Sequence, residues 1–146
     1  MLARPQQLVL DELEARLSRC PGTMMKRSST GLAVAGSGPN GFDMALIASE
    51  GQYLVAFDGW EETFDDVSNA SKLLEDAVNG LARLRIDTLG GKSWRWTLER
   101  LDANGRWVPH STVGQPVWRF WGKAKVHYLH NEFQAAHTSV PASGIR

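Results

Sequence analysis

The chain has 146 residues, with 42% hydrophobic and 22% charged residues, and this length and composition fit one folded domain rather than a disordered chain. Lys plus Arg and Asp plus Glu number 16 each, so net charge provides no general attraction to nucleic acid or to an anionic membrane. Cys20 is the single cysteine, which excludes an internal disulfide and a cysteine-based metal cage. With no apolar segment of signal-peptide length at the start, we expect a cytoplasmic protein without a membrane anchor.

The first predicted element is an amphipathic helix over residues 6–19. Its apolar positions follow helical spacing, and Pro21-Gly22 ends it; they are Leu8, Leu10, Leu13 and Leu17. We expect this leucine stripe to cover one face of a sheet, and the alternative is a dimer seam. Residues 22–40 are rich in Gly and Ser and predict a mobile connection that could include a short edge strand at 32–35.

Residues 42–48 and 52–58 predict a β-hairpin with Glu50-Gly51 as its two-residue turn. This register places two sets of apolar side chains on one face: Phe42, Met44 and Leu46 on one strand, and Tyr53, Val55 and Phe57 on the other. The opposite face is half apolar, so we expect partial cover on both sides.

Residues 58–66 are expected to form an acidic loop, and a second helix is predicted after it. Thr63 and Asp66 are spaced as in a capping box, and the helical period then runs from Val67 to near Gly80. Residues 84–88 alternate between apolar and polar side chains and precede Gly90-Gly91. They therefore predict a strand rather than an extension of the helix.

Two strands, 93–100 and 106–112, flank Asn104-Gly105, a strong hairpin signal. Taking these two residues as the turn pairs Asp102 with Trp107 and Trp96 with Val113. In that register Trp94, Trp96 and Trp107 face the core.

Residues 117–130 predict one long strand with two different faces. One face is expected to join the core and carries Trp118, Phe120, Gly122, Ala124, Val126 and Tyr128. The other is basic and exposed, and it carries Arg119, Trp121, Lys123, Lys125 and His127. The tail at 134–146 is expected to be loose.

These elements predict an α+β fold: an antiparallel sheet of about six strands with two helices packed on one face, in a single domain over residues 1–146. The charges are also segregated, since residues 43–76 hold nine acids and one base, Lys72. The two halves could neutralise each other in the folded sheet, or they could favour self-association.

The basic strand face is the candidate binding site, formed by Arg119, Trp121, Lys123, Lys125 and His127. Cations beside an exposed indole suit cation–π packing, an interface anchor or base stacking. The five carboxylates in residues 58–66 lack the ligand spacing of a calcium loop, and His127 and His130 would lie on opposite faces of a strand. No catalytic residue, metal site or cofactor is therefore predicted.

Three functional classes remain open. The favoured one is a binding or regulatory module that acts through protein–protein interaction, as a homodimer or with a protein partner. The second is a small-molecule-binding protein or enzyme with a Trp-lined cavity. The third, less favoured, is nucleic-acid binding through the basic strand.

Overall fold

The computed structural model describes residues 3–115 and 122–133, which form two helices and nine strands. In chain order these elements are α1 (Arg4–Leu17), β1 (Met25–Arg27), β2 (Gly31–Val34), β3 (Met44–Ser49), β4 (Gln52–Phe57), β5 (Trp60–Phe64), α2 (Val67–Val78), β6 (Ala82–Leu89), β7 (Lys92–Leu101), β8 (Trp107–Gly114) and β9 (Ala124–His130). The predicted α+β class with antiparallel strands is confirmed. Its strands, however, form two sheets rather than one sheet of about six.

The first sheet is an antiparallel meander in the order β1-β2-β3-β4-β5. The predicted hairpin is confirmed, since Ser49 pairs with Gln52 across the Glu50-Gly51 turn. The apolar face assigned to it is buried, whereas Ile47 on the opposite face is 45% exposed. Residues 22–40 also contain more structure than the predicted short edge strand, because β1 and β2 both lie within them.

The second sheet has the order β8-β7-β6-β9, so the last described strand adds beside β6. The predicted strand at 84–88 is confirmed as part of β6, and the predicted pairing of Trp96 with Val113 is observed. Nearer the turn the prediction is wrong, because Trp107 pairs with Leu101 rather than with Asp102. A β-bulge at Leu98/Glu99 reconciles the two registers.

The helices cover the inner face of the first sheet. Leu10, Leu13 and Leu17 of α1 are fully buried, which matches the predicted role of the stripe as sheet cover, whereas Leu8 is 56% exposed. Helix α2 packs against β3 and β4 and also reaches β6 of the second sheet. Its N-cap is Asp66, whose carboxylate accepts a hydrogen bond from the Ser68 amide at 2.8 Å. Thr63 belongs to β5, so the predicted capping box is wrong.

The two sheets meet where β5 contacts β7 and β8. Trp60 is fully buried there, and its indole N–H donates to the Ser111 hydroxyl at 3.0 Å. Glu62 accepts a hydrogen bond from the same hydroxyl at 3.0 Å and lies 3.1 Å from His110 Nε2. These contacts position the second sheet with one face toward the core and the other outward.

Candidate functional site

The outward face of the second sheet carries a cluster of arginines, acids and aromatic rings. We call it the arginine–aromatic face, and it consists of Arg83, Arg85 and Asp87 on β6, Arg95 and Glu99 on β7, Trp107 on β8, and Val126 and Tyr128 on β9. Successive side chains of a strand point to opposite faces of the sheet. Leu84 and Leu98, which pair with each other, are fully buried and point to the core. Their immediate neighbours along each strand therefore point outward.

Arg83 is the least exposed of the three arginines on this face. Its guanidinium carbon is 4.0 Å from the centroid of the Tyr128 ring and 4.5 Å from that of Trp107, which places the cation over both rings. Its Nε donates to the Glu99 carboxylate at 2.7 Å. The side chain is thus held in one orientation by two cation–π contacts and one charge-assisted hydrogen bond.

A second set of charges surrounds Asp87. Its two carboxylate oxygens accept hydrogen bonds from Arg85 at 3.2 Å and from Arg95 at 3.0 Å. The guanidinium carbon of Arg95 also lies 4.6 Å from the centroid of the Trp94 ring. Among the described residues, the buried Nε of Arg85 has no hydrogen-bond partner.

The exposure of these groups gives the face its electrostatic character. The Glu99 and Asp87 side chains are 8% and 9% exposed, whereas those of Arg83, Arg85 and Arg95 are 23%, 38% and 40% exposed. The acids therefore lie beneath the guanidinium groups, and cations and aromatic rings form the outer layer. Guanidinium groups present several hydrogen-bond donors in a planar fork that matches a carboxylate.

The predicted site residues are only partly described by the structure. Arg119 and Trp121 lie outside the described residues, as does Trp118, and Lys123, Lys125 and His127 are exposed. His127 pairs with Ile86 and Lys125 with Thr88, so these two side chains lie on the inner side of the sheet, although both are exposed. Lys125 and His127 therefore do not join the arginine–aromatic face.

The predicted core face of the last strand is reversed. Val126 and Tyr128 are 43% and 42% exposed and point outward, and Leu129 packs against the core instead. Alternation along the strand was predicted correctly, but the choice of the inner face was wrong. The apolar positions at 124, 126 and 128 belong to an exposed surface.

The chain matches no protein-family model, no curated protein and no solved structure.

The acidic segment at residues 58–66 does not form a separate site. Residues 58–66, expected to form an acidic loop, contain strand β5, and Trp60 within them is part of the core. Across residues 3–115 and 122–133, no group of three or more His, Cys, Asp or Glu side chains could hold a metal ion. Within the same ranges, no helix is both long and apolar enough to cross a membrane.

An open groove of about 360 Å³ runs beside β1 and β2, at the edge of the first sheet. Its described lining is mainly apolar and contains no tryptophan: Met24, Met25, Lys26, Ala33, Val34, Ala35, Asp43 and Met44. The groove therefore differs from the Trp-lined cavity that a small-molecule function predicts.

Sequence reasoning missed the arginines of β6 and β7 as a site. The signal was present, because Arg83, Arg85 and Asp87 alternate with buried Leu84 and Ile86. Strand pairing was needed to show that Trp107 and Tyr128, far apart in the chain, both contact Arg83.

Proposed function

We propose that the protein is a non-enzymatic binding module that docks an acidic segment of a protein partner on the arginine–aromatic face. The observation that supports this proposal most directly is the fixed position of Arg83 between Trp107 and Tyr128. Arg, Trp and Tyr are the residue types that most often dominate the energy of protein interfaces. A side chain that is already held in place loses little conformational entropy when a partner binds.

The charge distribution favours a partner with carboxylates. Arg85 and Arg95 share one buried carboxylate, Asp87, so their positive charge exceeds that of the acid beneath them. A carboxylate from a partner could bind in the outer layer without displacing Asp87. Similar charge would also attract nucleic acid, but a chain with zero net charge lacks the broad positive field typical of nucleic-acid-binding proteins.

Self-association is a second part of the proposal. The first sheet has an outward face with exposed apolar side chains, including Ile47, and an uncovered apolar patch on a soluble domain marks an interaction surface. We therefore propose a homodimer that leaves the arginine–aromatic face free for its partner. The cytoplasm is the proposed compartment, since a chain with one cysteine can form no internal disulfide.

Two matched valine substitutions test partner binding. Val126 and Val108 are 43% and 44% exposed and lie on the two outer strands of the second sheet. Val126 pairs with Asp87 on the arginine–aromatic face, whereas Val108 pairs with Arg100 on the opposite face. Val126→Glu adds a carboxylate opposite Asp87, on the face where an acidic partner would bind, and therefore repels that partner. Val108→Glu makes the same change on the opposite face.

The readout is affinity capture from nuclease-treated lysate of the source cells, quantified by mass spectrometry. We expect Val126→Glu to reduce recovery of a specific partner about tenfold, the effect of losing a strong interface contact, while Val108→Glu retains it. Equal recovery with both variants would reject the proposed face. A partner that nuclease treatment removes would instead assign the face to nucleic acid.

A further inference from the structure

The outward face of the first sheet is apolar at its centre and charged at its two edges. One row of paired residues crosses all five strands in the order Lys26, Ala33, Ala45, Ala56 and Glu61. The neighbouring row crosses four strands in the order Gly31, Ile47, Leu54 and Thr63. No helix or strand among the described residues covers this face, because α1 and α2 pack on the opposite side of the sheet.

We infer that this face binds a second copy of the chain, with the two sheets packed face to face. The inference rests on the self-association included in the proposed function, and it adds the surface and the symmetry. Ile47 and Leu54 supply apolar side chains at the centre, and Ile47 is 45% exposed in the single chain. Small side chains in the adjacent row allow a second sheet to approach closely.

Charge complementarity selects the second copy as the occupant. Lys26 lies at the β1 edge of the row and Glu61 at the β5 edge, and both are exposed. A two-fold axis that lies in the interface and runs along β3 places β1 of one copy over β5 of the other. Lys26 of each copy then faces Glu61 of its partner, so one symmetric arrangement forms two intermolecular ion pairs.

The alternative two-fold axis also lies in the interface but runs across the strands, and it does not bring opposite charges together. It would place Lys26 over the same lysine of the second copy and Glu61 over the same glutamate. Like charges would then face each other at both edges of the interface. The observed charges therefore define the relative orientation of the two copies as well as the surface.

The size of the face sets the expected strength of the dimer. Five strands spaced about 4.8 Å apart make a surface roughly 24 Å wide, and strands of about five residues make it roughly 17 Å long. Each copy would therefore contribute about 400 Å², roughly half of what each partner buries in a standard stable interface. We expect a reversible dimer with a dissociation constant in the micromolar range.

Sedimentation velocity over a wide concentration range tests the surface. Ile47→Glu should raise the dimer dissociation constant at least about tenfold, because it buries a charge at the centre of the interface. Leu8→Glu is the matched control, since Leu8 is 56% exposed on α1 and lies away from this face. Circular dichroism and thermal unfolding check that both variants are folded.

Charge exchange tests the symmetry and does not disturb the apolar centre. Lys26→Glu and Glu61→Lys should each weaken the dimer severalfold at low salt, and the double variant should restore it, because exchanging both charges recreates the two pairs. A double variant no stronger than either single variant would reject the two-fold arrangement.

Two other outcomes separate this inference from the wider proposal. A dimer that Ile47→Glu leaves unchanged would overturn the proposed surface and retain self-association. A monomer at all concentrations would overturn both, and would leave partner binding on the arginine–aromatic face to be decided by the Val126 and Val108 variants.

Discussion

Asn131 and Phe42 exchange two hydrogen bonds although 89 residues separate them. The Asn131 Oδ1 accepts from the Phe42 amide at 3.0 Å, and its Nδ2 donates to the Phe42 carbonyl at 3.2 Å. The same Oδ1 also accepts from the Ser37 amide at 3.0 Å. One fully buried side chain just after β9 therefore satisfies the backbone of the loop between β2 and β3.

Asn131→Ala should be among the most destabilising single substitutions that retain the fold. It leaves the buried amide and carbonyl of Phe42 and the partly buried amide of Ser37 without this partner, and we expect a loss of about 2–4 kcal/mol in the free energy of unfolding. Urea denaturation followed by fluorescence measures this loss. Asn69→Ala, at an exposed position on α2, should change stability by less than about 0.5 kcal/mol. Similar losses for the two variants would show that Asn131 does not anchor the loop.

Local patterns predicted much of the first sheet, but its last strand was missed for an identifiable reason. Asp58-Gly59 is a hairpin dipeptide, and Phe57 pairs with Trp60 directly across it. Asp58 adopts a φ of 51°, the left-handed conformation that Asp tolerates better than most residues. The many acids that follow favoured a loop, whereas the burial of Trp60 depends on the second sheet, which local sequence does not reveal.

In the second sheet, the alternation of side chains along a strand is not enough to predict which face each residue lies on. Alternation alone predicted that Trp96 and Trp107 both face the core, and only Trp96 packs against it. The β-bulge between them leaves His110 without an opposite residue and reverses the face on which Trp107 lies. The alternation in β6 indicated its outward arginines, but the complete arginine–aromatic face could not be predicted from sequence, because it requires Trp107 to point outward.

The Arg83–Glu99 pair should show strong coupling in a double-mutant cycle. Glu99→Ala removes the carboxylate that accepts from Arg83 at 2.7 Å and leaves a partly buried cation, so we expect a loss of about 2–3 kcal/mol. In the Arg83→Met background, Glu99→Ala should lower the free energy of unfolding clearly less, because no cation is left without a partner. Chemical denaturation of the four proteins gives the coupling energy, and additive losses would contradict the pairing.

The N-cap of α2 provides a prediction with a control one residue away. Asp66 accepts a hydrogen bond from the Ser68 amide, so Asp66→Ala should lower stability by about 1 kcal/mol. Asp65 is also exposed but precedes the cap position, so Asp65→Ala should have a smaller effect. The difference in melting temperature between the two variants reports the contribution of the Asp66 N-cap to stability. Equal melting temperatures would show that this cap contributes nothing.

Gly59 and Trp96 should be coupled through the space between the two sheets. A Cβ on Gly59 would overlap the Cε2 atom of the Trp96 ring, so no side chain fits there without movement of the indole. The same ring donates from Nε1 to the Asp58 carboxylate at 3.2 Å, which limits that movement. We therefore expect Gly59→Ala to lower the free energy of unfolding by about 2 kcal/mol, a loss typical of overpacking at a close contact.

The Trp96→Leu background separates this steric effect from any other effect of the added methyl group. Trp96→Leu is itself expected to be destabilising, but in that background Gly59→Ala should have little further effect, because the ring that it would contact is absent. Urea denaturation of the wild type, the two single variants and the double variant provides the four required stabilities. A loss on Gly59→Ala of the same size in both backgrounds would show that the contact between the sheets does not restrict position 59.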